Sequence, residues 1–288
     1  MALRGLIVGL ALFAALLSPA PVWAQDDEEI VVTGQPLEDI VRGFVGELSG
    51  APPAEDQLAR WDRSVCPGVF GLRDVQTAQR LIDRIALRAF ALDLNVGEPG
   101  CRANIFIFFT DDPPVLAAEL RTRIERVMNE SNTSMLGRRE LTAFVESPAP
   151  VRWWSIASTR SRLGLDILSD GAVRDLSSSR VRRQTRQDLS RIIIVVDSRL
   201  ASNLRVGALG DYLAMVSMAQ IDAEADTAGF STILNLFNGG PNQLTEWDWA
   251  YLQGLYGATR AARSASQQEN QIRRTMMDEL EETEAGDP

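Results

Sequence analysis

The sequence predicts a mixed α/β domain of the α+β class, with a small central sheet flanked by helices, and three observations carry that reading. Residues 104–110 and 191–197 are short runs of aromatic and β-branched side chains, the composition and length of buried strands. Around them lie longer segments whose apolar residues recur at spacings of three and four, the period of amphipathic helices. Of the 288 residues, 45% are apolar, which is enough to build one sizeable core.

Residues 1–24 have the form of a secretory signal peptide: Arg4, an uncharged run over 6–17, then Ser18, Pro19 and Pro21 before Val22-Trp23-Ala24. The run of about 12 residues falls short of the roughly 20 that span a bilayer. Cleavage is expected after Ala24, leaving a mature chain with no transmembrane span, periplasmic or secreted. Residues 25–36 read as a flexible acidic N-terminus, 37–260 as the globular domain, and 261–288 as a polar C-terminal helix with an acidic tail. The segment Gln25-Asp-Asp-Glu-Glu-Ile-Val-Val-Thr-Gly34 resembles the start of many mature TonB-dependent outer-membrane receptors. Nothing downstream has the regular alternation of a membrane barrel, so the likeness implies an envelope location and not transport.

Within the domain, Leu37, Ile40, Val41, Phe44, Val45 and Leu48 mark an amphipathic helix that Gly50 and Pro52-Pro53 end. A turn-rich stretch through Trp61, Cys66-Pro67-Gly68 and Phe70-Gly71 follows. Ala78, Leu81, Ile82, Ile85, Ala86, Ala89 and Phe90 then line one side of a longer helix, with Arg80, Asp83, Arg84 and Arg88 opposite. After the strand at 104–110, Asp111-Asp112-Pro113-Pro114 reads as an exit turn and 115–128 as a helix. Trp153-Trp154 to Ala157 suggests a further strand, and the polar stretch 169–187 a long hairpin arm or loop. Residues 206–221 are apolar on nearly every side, which predicts a central buried helix. A helix capped by Thr245 is expected over 245–258, and a largely solvated one beyond Arg260.

Composition excludes more chemistry than it supports. There is no histidine, and all 29 basic residues are arginine. Serine triads, Cys–His pairs, histidine-ligated zinc or haem, Schiff bases and P-loops are therefore absent, and no cofactor is expected. The formal charge of −10, one unit more negative once Arg4 is removed, argues against a general nucleic-acid binder. Cys66 and Cys101 are the only cysteines, and in an exported chain they are expected to form a disulfide.

The order of helices and strands, and the segment Leu244-Thr-Glu-Trp-Asp-Trp-Ala-Tyr-Leu-Gln-Gly-Leu-Tyr-Gly257 above all, resembles the metzincin-type zincins. In those enzymes a zinc-binding helix follows the last strand, and a turn beneath the metal leads to a C-terminal helix like this one. Here the corresponding helix carries Leu209-Gly210-Asp211-Tyr212-Leu213-Ala214 where histidines four apart would be required. The resemblance thus implies a degenerate, metal-free zincin-like domain. The elements Trp61-x-Arg63-x-x-Cys66-Pro67-Gly68 and Cys101-x-x-Asn104 also resemble those of a set of uncharacterised exported bacterial proteins, a likeness that implies no activity.

Carboxylates are the acid–base groups that remain, and a pair about 5–9 Å apart is able to hydrolyse a glycosidic bond. Asp211, a charge on an apolar helix, and Asp248 are the candidate catalytic residues, with Asp197 and Glu246 at nearby element ends. A hydrolase acting on glycan requires Asp211 to face a pocket and stand outside any ion pair. Asp222, Glu224 and Asp226 offer alternating oxygens for calcium but depart from the EF-hand pattern at Thr227 and Ile233. Arg180, Arg182, Arg183 and Arg186, flanked by Arg174 and Arg191, form a positive segment suited to an anionic headgroup or an acidic envelope protein. Trp153-Trp154 and the pair Trp247 and Trp249 are candidates for stacking or for an interface. The leading expectation is a non-catalytic binding domain; a carboxylate-dependent hydrolase and a structural or assembly protein stand as the alternatives.

Overall fold

A computed structural model describes residues 36–50, 57–128, 133–167, 183–260 and 262–286. The expected signal peptide and most of the acidic N-terminal segment lie outside the described residues. Helix α1 (Leu37–Leu48) leads to strand β1 (Pro67–Phe70), helix α2 (Val75–Ala91), β2 (Ile105–Thr110), α3 (Pro113–Val127), β3 (Thr133–Ser134) and α4 (Arg138–Glu146). Strands β4 (Val151–Ser161) and β5 (Thr185–Asp197) follow, then α5 (Ser198–Ala201), α6 (Val206–Met218), a 3-10 helix (Ile233–Asn238), α7 (Glu246–Gly257) and α8 (Ala265–Gly286). The five strands form one mixed sheet in the order β1-β2-β5-β4-β3.

The two strands predicted most directly pair with each other. β2 and β5 run parallel, from Ile105 opposite Ile192 to Thr110 opposite Asp197. Being central, they are covered on both faces, which is why each reads as an almost continuous apolar run. Ile105, Ile107, Ile192, Ile194 and Val196 face the larger core with α1, α2, α6 and α7. Val195, Trp154 and Ile156 face a smaller one beneath α3 and α4.

Several expectations change in detail. Asp111 to Pro114 is not an exit turn alone: Asp112 caps α3 by accepting from the Val115 N–H, and the prolines occupy its first turn, where a missing N–H costs no hydrogen bond. The turn-rich stretch contains β1, an edge strand of four residues paired in parallel with β2. Strand β5 begins at Thr185, so the end of the predicted polar arm is part of a long antiparallel hairpin with β4. The buried helix ends at Met218, three residues earlier than its apolar composition suggests, because Ala219 is extended. Helix α8 is not largely solvated: Gln268, Ile272, Met276 and Leu280 are buried. A methyl group at Gly254 would lie 2.9 Å from Ile272 Cα, so the glycine of α7 is what lets α8 approach this closely. The described residues accordingly form one compact unit that includes α8.

Cys66 and Cys101 are bonded, closing a loop of sequence separation 35 that holds the start of β1 beside the start of β2. No helix among the described residues is long and apolar enough to cross a membrane. Replacing both cysteines by serine is expected to lower the unfolding free energy by about 4 kcal/mol, from loop entropy alone. Urea titration of the two proteins measures it, and an unchanged midpoint would contradict the tie.

Candidate functional site

Asp211 sits near the middle of α6 with no exposed surface. Arg84 and Arg88, one turn apart on α2, both grip it with two hydrogen bonds. Arg84 donates from Nε to Oδ1 at 2.8 Å and from Nη2 to Oδ2 at 2.7 Å, and Arg88 from the same atoms at 2.7 and 3.0 Å. Burial alone would push this carboxyl up, but the hydrogen bonds from Arg88 and Arg84 outweigh it and hold the group below its ordinary value. Arg88 also lies over the Trp249 ring, 5.3 Å from its centroid. The condition set for the hydrolase, an Asp211 outside any ion pair, is not met.

Asp248 is equally enclosed. It accepts from Thr232 Oγ1 at 2.5 Å and from the N–H groups of Ile233 and Thr245 at 2.9 Å each, while Thr245 Oγ1 accepts from the Asp248 N–H. The pair is a reciprocal cap on α7, and burial raises the Asp248 carboxyl despite those bonds. Asp197 caps α5 and pairs with Arg199 at 3.0 Å; the Arg199 hydrogen bond holds it low. Glu246 lies in the first turn of α7.

The acidic triplet does not converge. Asp222 Oδ1 accepts from the Glu224 N–H at 2.9 Å, Asp226 Oδ1 accepts from the Ala228 N–H at 3.2 Å, and the Asp226 N–H donates to Glu47. Among the described residues no three such ligands form a group able to hold a metal ion. The tryptophans serve packing: Trp247 meets Phe44 edge-on at 5.5 Å and Trp154 meets Phe144 at 6.1 Å. Trp153 Nε1 donates to the Ile221 carbonyl.

The predicted arginine segment divides. Arg174, Arg180 and Arg182 lie outside the described residues, and Arg183 donates to the Arg263 carbonyl. Arg186 is not a surface cation, as expected from its polar neighbours, but a buried residue of β5, where it pairs with Asp62 and Asp188. Burial raises the Asp188 carboxyl even so. Arg260 joins Asp62 at 2.7 Å and Arg160 joins Asp166 at 2.6 Å. Beside them, Arg60 donates to the Leu255 and Ala258 carbonyls at the end of α7, and burial together with Arg260 lowers its guanidinium to about 10.

In front of this buried network opens a cleft of about 310 Å³ whose lining includes Arg63, Arg102, Arg191, Asn104, Trp61 and Ser190. The two sequence elements around Cys66 and Cys101 meet here, held by the disulfide. Asn104 clamps them: its side-chain oxygen accepts from the Cys66 N–H at 2.7 Å, and its amide donates to the Ser64 carbonyl at 2.9 Å. Trp61 is buried, with Nε1 donating to the Ser217 carbonyl at 2.7 Å, which fixes the strand of chain that carries Arg63. Arg191 comes from β5, where a register shift opposite Ile156 and Ala157 leaves Ser190 as the extra residue; such bulges re-aim neighbouring side chains. Arg63, Arg102 and Arg191 are exposed and have no acidic partner among the described residues. Asp188 also lines the cleft, but Arg186 already holds it at 3.0 Å.

No family model, curated protein or solved structure matches this chain.

The Asp211 pair generates a test with a defined sign. Removing both guanidiniums by Arg84→Met and Arg88→Met leaves a fully buried charge and should cost about 3–5 kcal/mol. Asp211→Asn should cost less, about 2 kcal/mol, because both arginines reach water. Since the folded carboxyl titrates below its unfolded value near 3.9, this stabilisation is present above that pH and fades as pH falls through the lower folded value. Chemical denaturation of the three proteins across pH 2–7 should show wild type and Asp211→Asn converging at the acid end; a constant gap would refute the assignment.

Proposed function

We propose that this chain is an exported envelope protein with a non-catalytic, metal-free zincin-like domain that binds an anionic group of its partner in the arginine cleft. The carrying observation is that three guanidiniums without acidic partners border one cleft in a protein of net charge −10. Guanidinium forks suit phosphate and carboxylate oxygens by paired N–H donors. The buried arginines Arg60, Arg152 and Arg186 are matched to carbonyls or aspartates, whereas these three exposed ones gather at one cleft.

A zinc ion does not fit the residues of α6. Gly210 and Ala214 carry no ligand atoms, and a Cβ at Gly210 would lie 2.7 Å from Arg84 Cγ, so α2 fills the space a histidine side chain would need. Asp211 and Asp248 are both enclosed and saturated, which favours binding over a carboxylate-dependent hydrolase. The signal peptide at residues 1–24 supports export, and the disulfide agrees with an oxidising compartment.

Two measurements test this reading. Inorganic phosphate titrated into the mature protein should shift the Nε–H resonances of Arg63, Arg102 and Arg191, and changing all three to glutamine should weaken binding about tenfold or more; phosphate that binds the variant equally well would refute the cleft. Mass spectrometry of protein recovered from the periplasm should give a chain starting at Gln25, whereas retention of residues 1–24 would refute processing at Ala24.

A further inference from the structure

The arginine cleft opens onto an aromatic surface. Phe106 lines the cleft together with Arg102 and Arg191, and register fixes its neighbours. It pairs with Ile193 of β5 and stands opposite Gly68 of β1, while Phe70 stands opposite Phe108. Side chains two residues apart along a strand share a face. Phe70, Phe106, Phe108 and Arg191, which pairs with Ile156, therefore project from the face of the sheet that carries the smaller core. Phe108 packs at the edge of that core, but Phe70 and Phe106 belong to neither core. Phe106 is half-buried and Phe70 is 43% exposed.

The three rings form a continuous platform. Phe70 stacks on Phe108 at 5.1 Å between centroids and on Phe106 at 6.4 Å, with interplanar angles of 26° and 20°. Gly68 accommodates the stack: a methyl group there would lie 3.2 Å from the Phe70 ring and 3.0 Å from Ala103 Cβ. The missing side chain lets the ring fold back along β1 toward the cleft, which Ala103 also lines. The glycine of Cys66-Pro67-Gly68 thereby joins an apolar surface to the guanidiniums. Apolar groups gathered at the surface and bordered by polar ones mark an interaction site.

The two halves specify one occupant. The rings offer no hydrogen-bonding group, so they suit a part of the ligand that needs none. Three guanidiniums around one cleft suit the clustered oxygens of a single phosphate better than carboxylates spaced along a peptide. We infer that the cleft binds a phosphate-bearing lipid, its phosphate among Arg63, Arg102 and Arg191 and the first methylenes of its apolar chain laid across Phe106 and Phe70. This lipid site rests on the anion site proposed above and adds the apolar half of the ligand.

Calorimetric titration of the mature protein with n-octyl phosphate below its micelle concentration, with inorganic phosphate and with n-octyl glucoside is a comparison that needs no variant. Octyl phosphate is expected to bind about tenfold or more tighter than inorganic phosphate, because burying about two methylenes gives that factor. Octyl glucoside, which has the chain without the anion, should bind about tenfold or more weaker than octyl phosphate. Phe70→Ser should remove most of the difference between the two phosphates. Equal affinity for octyl and inorganic phosphate would overturn the lipid site and leave the anion site standing, whereas failure of both to bind would overturn both. Octyl glucoside binding as tightly as octyl phosphate, or a Phe70→Ser protein that keeps the whole difference, would also overturn the lipid site. Tighter binding of a capped peptide alternating aspartate and leucine would do the same by assigning the surface to a protein, and a dimer in sedimentation that buries Phe70 by assigning it to a second copy.

Discussion

A carboxylate buried in an apolar helix is the constraint around which the domain is arranged. Residues 208–218 of α6 are all buried, so the helix has no solvent face on which to place the charge of Asp211. Taking an ion of this kind out of water costs several kcal/mol unless its lone pairs are answered. Arg84 and Arg88 answer them from α2, and the Leu244 N–H approaches Oδ2 from the start of α7 at 3.4 Å. One side chain therefore sets α2, α6 and the approach to α7 in register. Gly210 completes the arrangement by leaving room for the stem of Arg84.

An all-arginine cation set shapes the rest of the electrostatics. Arginine keeps its charge where a buried lysine would lose it, and its fork satisfies carbonyls as readily as carboxylates. Arg60 uses that fork to finish the carbonyl end of α7, and Arg186 uses it to hold Asp62 and Asp188. These internal duties distinguish the paired arginines from those of the cleft. The cleft is open because the disulfide, the Asn104 clamp and the β5 bulge bring three chain segments together without a carboxylate free to neutralise them.

Much of the architecture was legible in the sequence because burial leaves a periodic signature. The runs at 104–110 and 191–197, the stripes of α1 and α2, the featureless apolar helix at 206–218 and the Thr245 cap all write their environment into local composition. Elements that depend on distant partners left no such mark. β1 and β3 are too short for a period to show, and their pairing is supplied by β2 and β4. Helix α8 looks polar along its sequence, yet a narrow stripe of Ile272, Met276 and Leu280 suffices because Gly254 brings α7 so near.

The candidate site divides along the same line. Sequence alone determined which chemistry is absent, since missing histidine and lysine remove it wherever the chain folds, and its two cysteines led to the expected tie between Cys66 and Cys101. Tertiary structure alone decided which arginines remain unpaired. Arg186 and Arg191 look equivalent in sequence, but Arg186 points into a buried network with Asp188 while Arg191, beyond the bulge, faces the cleft. The physical reason is that a charged residue's role is set by whichever opposite charge the fold places within hydrogen-bond reach, and that partner is rarely near in sequence.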